Sequence, residues 1–251
     1  MRLIELKNNL EMISLTTLIL SSICTFSYSQ NQMVLVKGGN FSPPYSITKK
    51  FIEYHVKDFY IDKTPVTKKE YLDFLIKNPK WQKQKIAQIF ADDNYLLDWD
   101  GLKLKTDKYN EPVTYVSWFS AKAYCNSVKK RLPTDLEWEF ASTDTSISDY
   151  SWYWKPFTDK FDSVGMDKPN NKGINNFHNL IWEWTYDFNN SVINNDSRET
   201  TGDIQKAEAF CGNTGNFKDN KDYPAFARYS FRGTLTAGTT VKSLGFRCAK
   251  N

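Results

Sequence analysis

The most regular stretch of this chain is EPVTYVSWFSAKAYCNSVKKRLPTDLEWEFAS, residues 111–142, and it limits the choice of fold more than any other feature. Val113–Val116 predicts a short strand. Ser117 is a suitable N-cap for a helix, because its hydroxyl can accept a hydrogen bond from a free backbone amide. Behind it, apolar residues recur at the spacing of one helix face: Ala121, Tyr124, Cys125 and Val128.

A second short helix is predicted directly after Pro133, which ends the preceding element. Thr134 is its N-cap, and Glu137 three residues later completes a capping box. The predicted helix covers Asp135–Ala141, so two short helices follow each other closely.

The region before this stretch predicts two strands and one further helix. Met33–Phe41 is predicted to be a strand that runs into a Gly-Gly turn, and Phe51–Asp62 alternates apolar and polar residues as a strand does. Thr67 and Glu70 form another capping box in front of residues at helical spacing.

The remaining regions lack clear periodicity. Residues 77–110 are polar and predict a long insertion or loop, and after Ser142 no long helix is visible. The second half is therefore predicted to consist of loops and short strands. No repeat or low-complexity linker appears, so we predict one domain over residues 30–251.

Composition and charge exclude some classes of function. Hydrophobic residues make up 40% and charged residues 25%, which is typical of a globular protein. The formal net charge is +4, without a basic stripe, so we do not expect a nucleic-acid partner.

The N-terminus predicts export. Arg2 and Lys7 precede an apolar run from Met12 to Phe26, and small residues follow it, the pattern of a secretory signal peptide over residues 1–29. The run is short for a membrane span, so we expect none after signal removal. Cys24 offers an alternative, a lipoprotein anchor. We rank it below simple secretion, because bulky Ile23 precedes it. The expected location is secreted, periplasmic or cell envelope.

Three cysteines remain in the predicted mature chain: Cys125, Cys211 and Cys248. In an oxidising compartment they allow one disulfide and one remaining thiol.

The segment NLIWEWTYDF, Asn179–Phe188, places one carboxylate, Glu183, inside an aromatic run. One interpretation is a strand in which Trp182 and Trp184 share a face and Glu183 points the other way. The other interpretation is a ligand or binding site.

Four segments occur in this order: FYIDKTPVTKKEYLDFL, PVTYVSWFSAKAYCNSVKKRLPTDLEWEFA, IWEWTYDF and SLGFRCAK. Together they resemble the sulfatase-modifying factor family, which comprises the formylglycine-generating enzymes and their relatives. The resemblance runs from about Met33 to the C-terminus. It implies a compact, irregular α+β fold related to C-type lectins.

The resemblance also implies a calcium site. In the enzymes the glutamate of the GNVWEW motif looks like a calcium ligand, together with backbone carbonyls just upstream. Calcium binds six to eight oxygens, which such a set can supply. The matching set here is Glu183 with Asn179 and Ile181. The chain departs from the motif because the Gly-Asn pair is Asn179-Leu180 and a preceding Asp is Asn176. A surface-facing strand carboxylate or an ion pair remains the alternative for Glu183.

Copper is not expected. The enzymes bind copper(I) through two cysteines at a fixed distance before the GFRC motif, the soft thiolate ligands that this ion prefers. Counting back from Gly245 places those positions at Tyr229 and near Pro224, and neither is a cysteine. A related branch holds iron with three histidines, but this chain has only His55 and His178.

Arg228 and Arg232 match arginines that border the peptide groove in the enzymes, with Tyr229 between them. They are candidate groove residues, since arginine binds carboxylate or carbonyl groups bidentately. The alternative is that each arginine pairs with a structural carboxylate. The resemblance further implies that Cys125 pairs with Cys248.

Two hypotheses of function follow. The first is an exported, non-catalytic domain that acts as a binding or structural component of the cell envelope, with a protein or peptide partner. The second is an oxidoreductase or protein-modifying enzyme of this family with a divergent site.

Overall fold

A computed structural model describes residues 32–46, 52–143, 161–189, 216–217 and 223–251. The predicted signal peptide, Cys24 and Cys211 lie outside these residues. The described helices are α1 (Lys68–Lys77), α2 (Trp118–Ser127), α3 (Asp135–Ser142) and α4 (Tyr223–Gly233). None of the helices in these ranges is long and apolar enough to cross a membrane.

The described strands are short and form small sheets. They are β1 (Met33–Val36), β2 (Gly39–Phe41), β3 (Tyr45–Ser46), β4 (Tyr54–Val56), β5 (Phe59–Asp62), β6 (Trp182–Glu183), β7 (Asn216–Phe217), β8 (Leu244–Gly245) and β9 (Ala249–Lys250). Strands β1, β5 and β9 make an antiparallel sheet with β5 in the centre. Strand β2 pairs with β4, β3 with β7, and β6 pairs in parallel with β8.

The predicted helix starts are confirmed. Thr67 and Glu70 form the capping box of α1, and Thr134 and Glu137 form that of α3. Ser117 caps α2 through its side chain, which accepts a hydrogen bond from the amide of Ser120. Local side-chain chemistry therefore fixes where these helices begin.

The predicted strand Val113–Val116 is wrong. Tyr115 has a φ of +56°, in the left-handed region, which interrupts an extended conformation. Single backbone hydrogen bonds hold this segment instead: Val113 N donates to Val66 O, and Tyr115 N donates to Val241 O.

The prediction of a second half without a long helix is also wrong, because α4 spans 11 residues. Its buried residues include Arg228 and Arg232 alongside Ala225. Burial of two arginines is the reverse of the usual pattern, in which charged residues lie on the exposed face of a helix.

Residues 77–110 contain 3-10 turns at Pro79–Trp81, Gln88–Phe90 and Thr106–Lys108, which agrees with their lack of periodicity. They are nevertheless part of the core and not an outlying loop. They contribute four large buried side chains: Trp81, Tyr95, Leu96 and Trp99.

Two groups of buried side chains lie on either side of the segment that carries Glu183. The first combines α1, α2 and residues 81–99 with Trp184 and Phe246. The second lies between strands β1, β4 and β5 and the aromatic residues Trp138 and Phe177. Gly245 is in close contact at this point: a Cβ there would lie 2.2 Å from the carbonyl oxygen of Val113. A side chain at position 245 would therefore displace the backbone at Val113.

Cys125 and Cys248 form a disulfide, as the resemblance predicted, with a Cα–Cα distance of 5.7 Å. The bridge joins α2 to the C-terminal segment across a sequence separation of 123 residues. Both cysteines are fully buried in the first core group.

We expect removal of this disulfide to destabilise the domain substantially. The double variant Cys125→Ala/Cys248→Ala should lose about 2–5 kcal/mol of unfolding free energy, because the unfolded chain gains freedom and two buried sulfurs are lost. Denaturant unfolding measures the difference. Reductant should destabilise the wild type and leave the double variant unchanged. Equal sensitivity of both proteins to reductant would contradict the prediction.

Candidate functional site

Glu183 lies at the centre of a buried ionic cluster. Its side chain, like that of Arg247, has no solvent exposure. Nε of Arg247 donates to Oε2 of Glu183 at 2.7 Å, and Nη2 donates to Oε1 at 2.8 Å. The indole Nε1 of Trp138 also donates to Oε2, at 2.8 Å. Both carboxylate oxygens therefore have charged or strong donors.

The remaining donors of Arg247 bind backbone carbonyls of two loops. Nη1 donates to the carbonyl oxygens of Asp62 and Lys63 at 3.2 and 3.4 Å. Nη2 donates to those of Asn175 and Asn176 at 2.9 and 3.2 Å. The guanidinium thus links the C-terminal segment to Glu183, to residues 62–63 and to residues 175–176.

Strand β6 confirms the strand interpretation of the aromatic run. Trp182 and Trp184 pack against the first core group, and Glu183 faces the opposite way, toward Trp138. The alternative of a surface-facing carboxylate is wrong because Glu183 is buried, and the ion-pair alternative describes its environment.

The residues predicted to hold calcium are engaged in other contacts. Glu183 is bound by Arg247, and the side-chain amide of Asn179 donates to Asp167 Oδ2 at 3.0 Å and accepts from Asn176 at 3.2 Å. Ile181 is buried, and the resemblance implies its backbone carbonyl rather than its side chain as a ligand. Both carboxylate oxygens of Glu183 accept hydrogen bonds from the guanidinium of Arg247. The calcium site therefore stays a prediction.

Asp167 organises the loop in front of β6. Its carboxylate accepts hydrogen bonds from the backbone amide of Asn176 at 2.8 Å and from the side chains of Asn175 and Asn179. Asn176 has a φ of +61°, a conformation that asparagine tolerates better than most residues. This loop presents the two carbonyls that Arg247 binds.

A second ionic cluster joins α3 to α4. Nε and Nη2 of Arg228 donate to the two carboxylate oxygens of Glu139 at 2.9 and 2.7 Å. Nη1 of Arg232 lies 2.9 Å from Glu139 Oε1 and 2.5 Å from Asp135 Oδ1. Both arginine side chains are about 95% buried, with exposed fractions of 5% and 4%. The alternative of pairing with structural carboxylates therefore describes these arginines, and the groove role expected for them does not.

Tyr229, the third predicted groove residue, is half-buried on α4. Burial raises the pKa of its phenol well above the usual range, and the nearby carboxylates of Glu139 and Asp135 add to the effect. The phenol is therefore neutral.

A small cavity lies between the two clusters. Its lining combines polar and aromatic side chains: Trp138, Phe177, His178, Ile181, Trp182, Glu183, Arg228 and Arg232. It offers about 10 Å³ to the centre of a water molecule, room for about one water. A cavity of this volume is too small for a peptide side chain. Burial lowers the pKa of His178, which lines it, well below the usual range, and Arg228 adds to this effect.

The second cluster has more carboxylates than guanidiniums. Asp135 and Glu139 both interact electrostatically with Arg228 and Arg232, and Asp187 is a further carboxylate close to Asp135. Burial raises the pKa of Asp135 to about 7, with Glu139 and Asp187 contributing, while Arg232 opposes the rise. Asp135 therefore takes up a proton at a higher pH than an exposed aspartate does.

This raised pKa predicts the pH dependence of stability. The folded state binds the Asp135 proton more tightly than the unfolded chain does, so protonation of Asp135 stabilises the fold. This contribution to the free energy of unfolding is complete below pH about 4. It is lost as the pH rises through about 7. Asp135→Asn mimics the protonated group, so the wild type should lose stability relative to it, by up to about 1.4 kcal/mol per pH unit. Denaturant unfolding across this range measures the gap. Parallel curves for the two proteins would contradict the prediction.

Arg247 and Glu139 are site residues that the sequence patterns did not predict. Both lie in the segments that carry the family resemblance, SLGFRCAK and LEWEFA. A signal existed in each case: a charged residue between apolar or aromatic neighbours in a segment predicted to be buried requires an oppositely charged partner.

Metal-ligating side chains do not converge in the part of the chain that the structure describes. No group of three or more His, Cys, Asp or Glu residues in these ranges could hold a metal ion. Pro224 and Tyr229, where the resemblance places the copper cysteines, lie on α4.

The chain belongs to the sulfatase-modifying factor family. The model of the sulfatase-modifying factor enzyme 1-like domain matches residues 23–251. The structure agrees, with an α+β fold of short helices and small sheets.

Curated relatives include enzymes and proteins named as inactive. An uncharacterized protein of Borreliella burgdorferi is 33% identical over 56% of this chain, and the mouse formylglycine-generating enzyme is 28% identical over 56%. The alignments span 33% and 44% of those two proteins. The inactive C-alpha-formylglycine-generating enzyme 2 of Bos taurus is 27% identical over 78% of each chain.

Solved structures share the fold. PvdO from Pseudomonas aeruginosa superimposes with a TM-score of 0.50 and 14% identity, covering 87% of this chain and 94% of that one. The Treponema denticola variable protein 1 also gives a TM-score of 0.50, with 17% identity and the same coverage. At these identities the likeness concerns the fold alone.

Proposed function

We propose that this chain is exported and acts as a non-catalytic binding or structural component of the cell envelope. One observation carries the proposal. Helix α4, which spans the positions of the copper cysteines, has proline and tyrosine there and uses its two arginines to bind Glu139 and Asp135. The side chains of this segment that could bind a peptide are therefore engaged in ion pairs inside the domain.

The comparisons support the non-catalytic part of the proposal. A relative named as an inactive formylglycine-generating enzyme aligns over 78% of this chain, whereas the mouse enzyme aligns over 56%. The family fold is therefore used by proteins named as inactive as well as by enzymes.

Two features support export. The apolar run Met12–Phe26 has the pattern of a signal peptide, and the Cys125–Cys248 disulfide suits an oxidising compartment. A mature N-terminus near Gln30, found by N-terminal sequencing of the protein from envelope fractions, would support this. Retention of Met1 would contradict export, and a lipid on Cys24 would contradict cleavage near Gln30.

The test of activity uses a sulfatase-derived peptide that contains the target cysteine. We expect residues 30–251 to form no aldehyde product by mass spectrometry, with or without added copper, because the thiolate pair is missing at positions 224 and 229. A formylglycine-generating enzyme is the positive control. Product above the no-protein control would favour the alternative, an enzyme of this family with a divergent site.

The proposed partner is a protein or peptide of the envelope. Affinity capture of the tagged mature chain from native envelopes, followed by mass spectrometry, tests this. A partner recovered in a fixed ratio supports a scaffold role. A covalently processed substrate in the captured material would contradict it.

A further inference from the structure

A run of aromatic side chains reaches the surface outside both ionic clusters. This aromatic strip consists of Phe90, Phe119, Trp118 and Tyr186, whose successive ring centroids lie 5.4, 5.5 and 6.1 Å apart. Tyr186 is 48% exposed, and Ile89, beside Phe90 in the chain, is 75% exposed. Three separate parts of the chain thus bring exposed apolar surface together, which is typical of an interaction surface.

The strip also contains a cation. Nζ of Lys122 lies 4.5 Å from the centre of the Trp118 ring and 5.0 Å from that of the Tyr186 ring. Lys122 forms no ion pair with the residues that the structure describes. Its ammonium group therefore retains hydrogen-bond donors and a positive charge for a ligand.

Two carboxylates that adjoin the strip in sequence bind other groups. Oδ1 of Asp187 accepts a hydrogen bond from the amide of Asp135 at 2.7 Å, and Oδ2 of Asp92 accepts one from the amide of Thr240 at 2.9 Å. A third, Asp93, is exposed. The ammonium of Lys122 is thus held between two rings, and a negatively charged ligand would complement it.

We propose that the aromatic strip binds an acidic peptide segment of the envelope partner, an inference that rests on the proposed function. A carboxylate of the segment pairs with Lys122, and a neighbouring apolar side chain covers Ile89 and Phe90. The surface is separate from the arginines of α4, which are engaged in ion pairs. Trp and Tyr are among the residues that most often dominate the binding energy of protein interfaces.

The ring geometry favours a peptide over a sugar. The planes of Phe90 and Phe119 meet at 67°, and those of Phe119 and Trp118 at 81°, so the strip has crevices and no single flat platform. Irregular side chains of a peptide fit such crevices. A sugar ring stacks on a free aromatic face, but the ammonium of Lys122 lies over the face of Trp118.

Selection of a phage-displayed library of random peptides on immobilised residues 30–251 tests the proposal. We expect the selected peptides to carry Asp or Glu next to an aromatic or aliphatic residue. The affinity of the synthetic peptides, measured by fluorescence anisotropy, should fall as salt rises. Lys122→Glu should weaken binding about tenfold or more, because like charges then face each other. Exchange of the acidic residue of the peptide for lysine should restore binding to this variant.

The matched control is Lys129→Glu, which makes the same charge change at an exposed position beyond the C-terminal end of α2. This variant should bind the peptides as the wild type does. Selected peptides without acidic residues, or equal affinity of Lys122→Glu and the wild type, would overturn the inference. Binding to phosphatidylglycerol vesicles or to polygalacturonate that Lys122→Glu abolishes would overturn it in favour of a lipid or a glycan.

Affinity capture separates this inference from the proposed function. An envelope partner that the wild type captures and Lys122→Glu loses would support the strip as its docking surface. A partner captured equally by both proteins would contradict the docking surface and leave the proposed function intact. Capture of no partner by either protein would contradict the proposed function itself.

Discussion

Replacing Arg247 with methionine should lower the free energy of unfolding by about 3–5 kcal/mol, because Glu183 would remain as a buried charge without its partner. Four backbone carbonyls lose their donor at the same time. Domains of this kind are stable by about 5–15 kcal/mol, so the change is a large share of the total. Urea unfolding followed by tryptophan fluorescence measures it.

The control for this variant is Arg131→Met. Arg131 forms a bidentate pair with Glu137, but its side chain is 29% exposed, so its loss should cost under about 1 kcal/mol. Arg247→Lys keeps the charge but not the planar fork, and it should fall between the wild type and Arg247→Met. If Arg247→Met lowers the free energy of unfolding no more than Arg131→Met does, the stabilising role of the buried Glu183–Arg247 pair is contradicted.

Substitution of Glu139 by glutamine should have an effect of similar size, about 3–5 kcal/mol. The change keeps the shape of the side chain and removes the negative charge that holds both Arg228 and Arg232. Helix α4 is attached to α3 through these bonds, so we expect α4 to lose amide protection in hydrogen exchange before α1 does.

Glu53→Gln is the matched control for this second variant, because Glu53 is exposed and makes one hydrogen bond to Asn40. Its effect should lie within about 0.5 kcal/mol of zero. If α4 retains full amide protection in the Glu139→Gln variant, then apolar packing, and not the two arginines, holds this helix against α3.

The helix starts were predictable from the sequence because their causes are local. Thr67, Ser117 and Thr134 bond to amides three residues away, so a short window contains the whole interaction. The disulfide was predictable only through the family resemblance, since spacing alone left three cysteines and no unique pair.

The ionic centres depend on contacts that no local pattern contains. Glu183 and Arg247 are separated by 64 residues and Glu139 and Arg228 by 89, so neither partner can be inferred from its neighbours. The same feature hid α4, whose buried arginines pair with Glu139 and Asp135 of α3.

Metal analysis of the purified mature protein tests the account most directly. Residues 30–251, prepared without chelators, should contain copper and iron far below one equivalent per chain by inductively coupled plasma mass spectrometry. This result follows if the copper thiolates are absent from α4, where proline and tyrosine occupy positions 224 and 229. One equivalent of copper or iron would contradict the non-catalytic function.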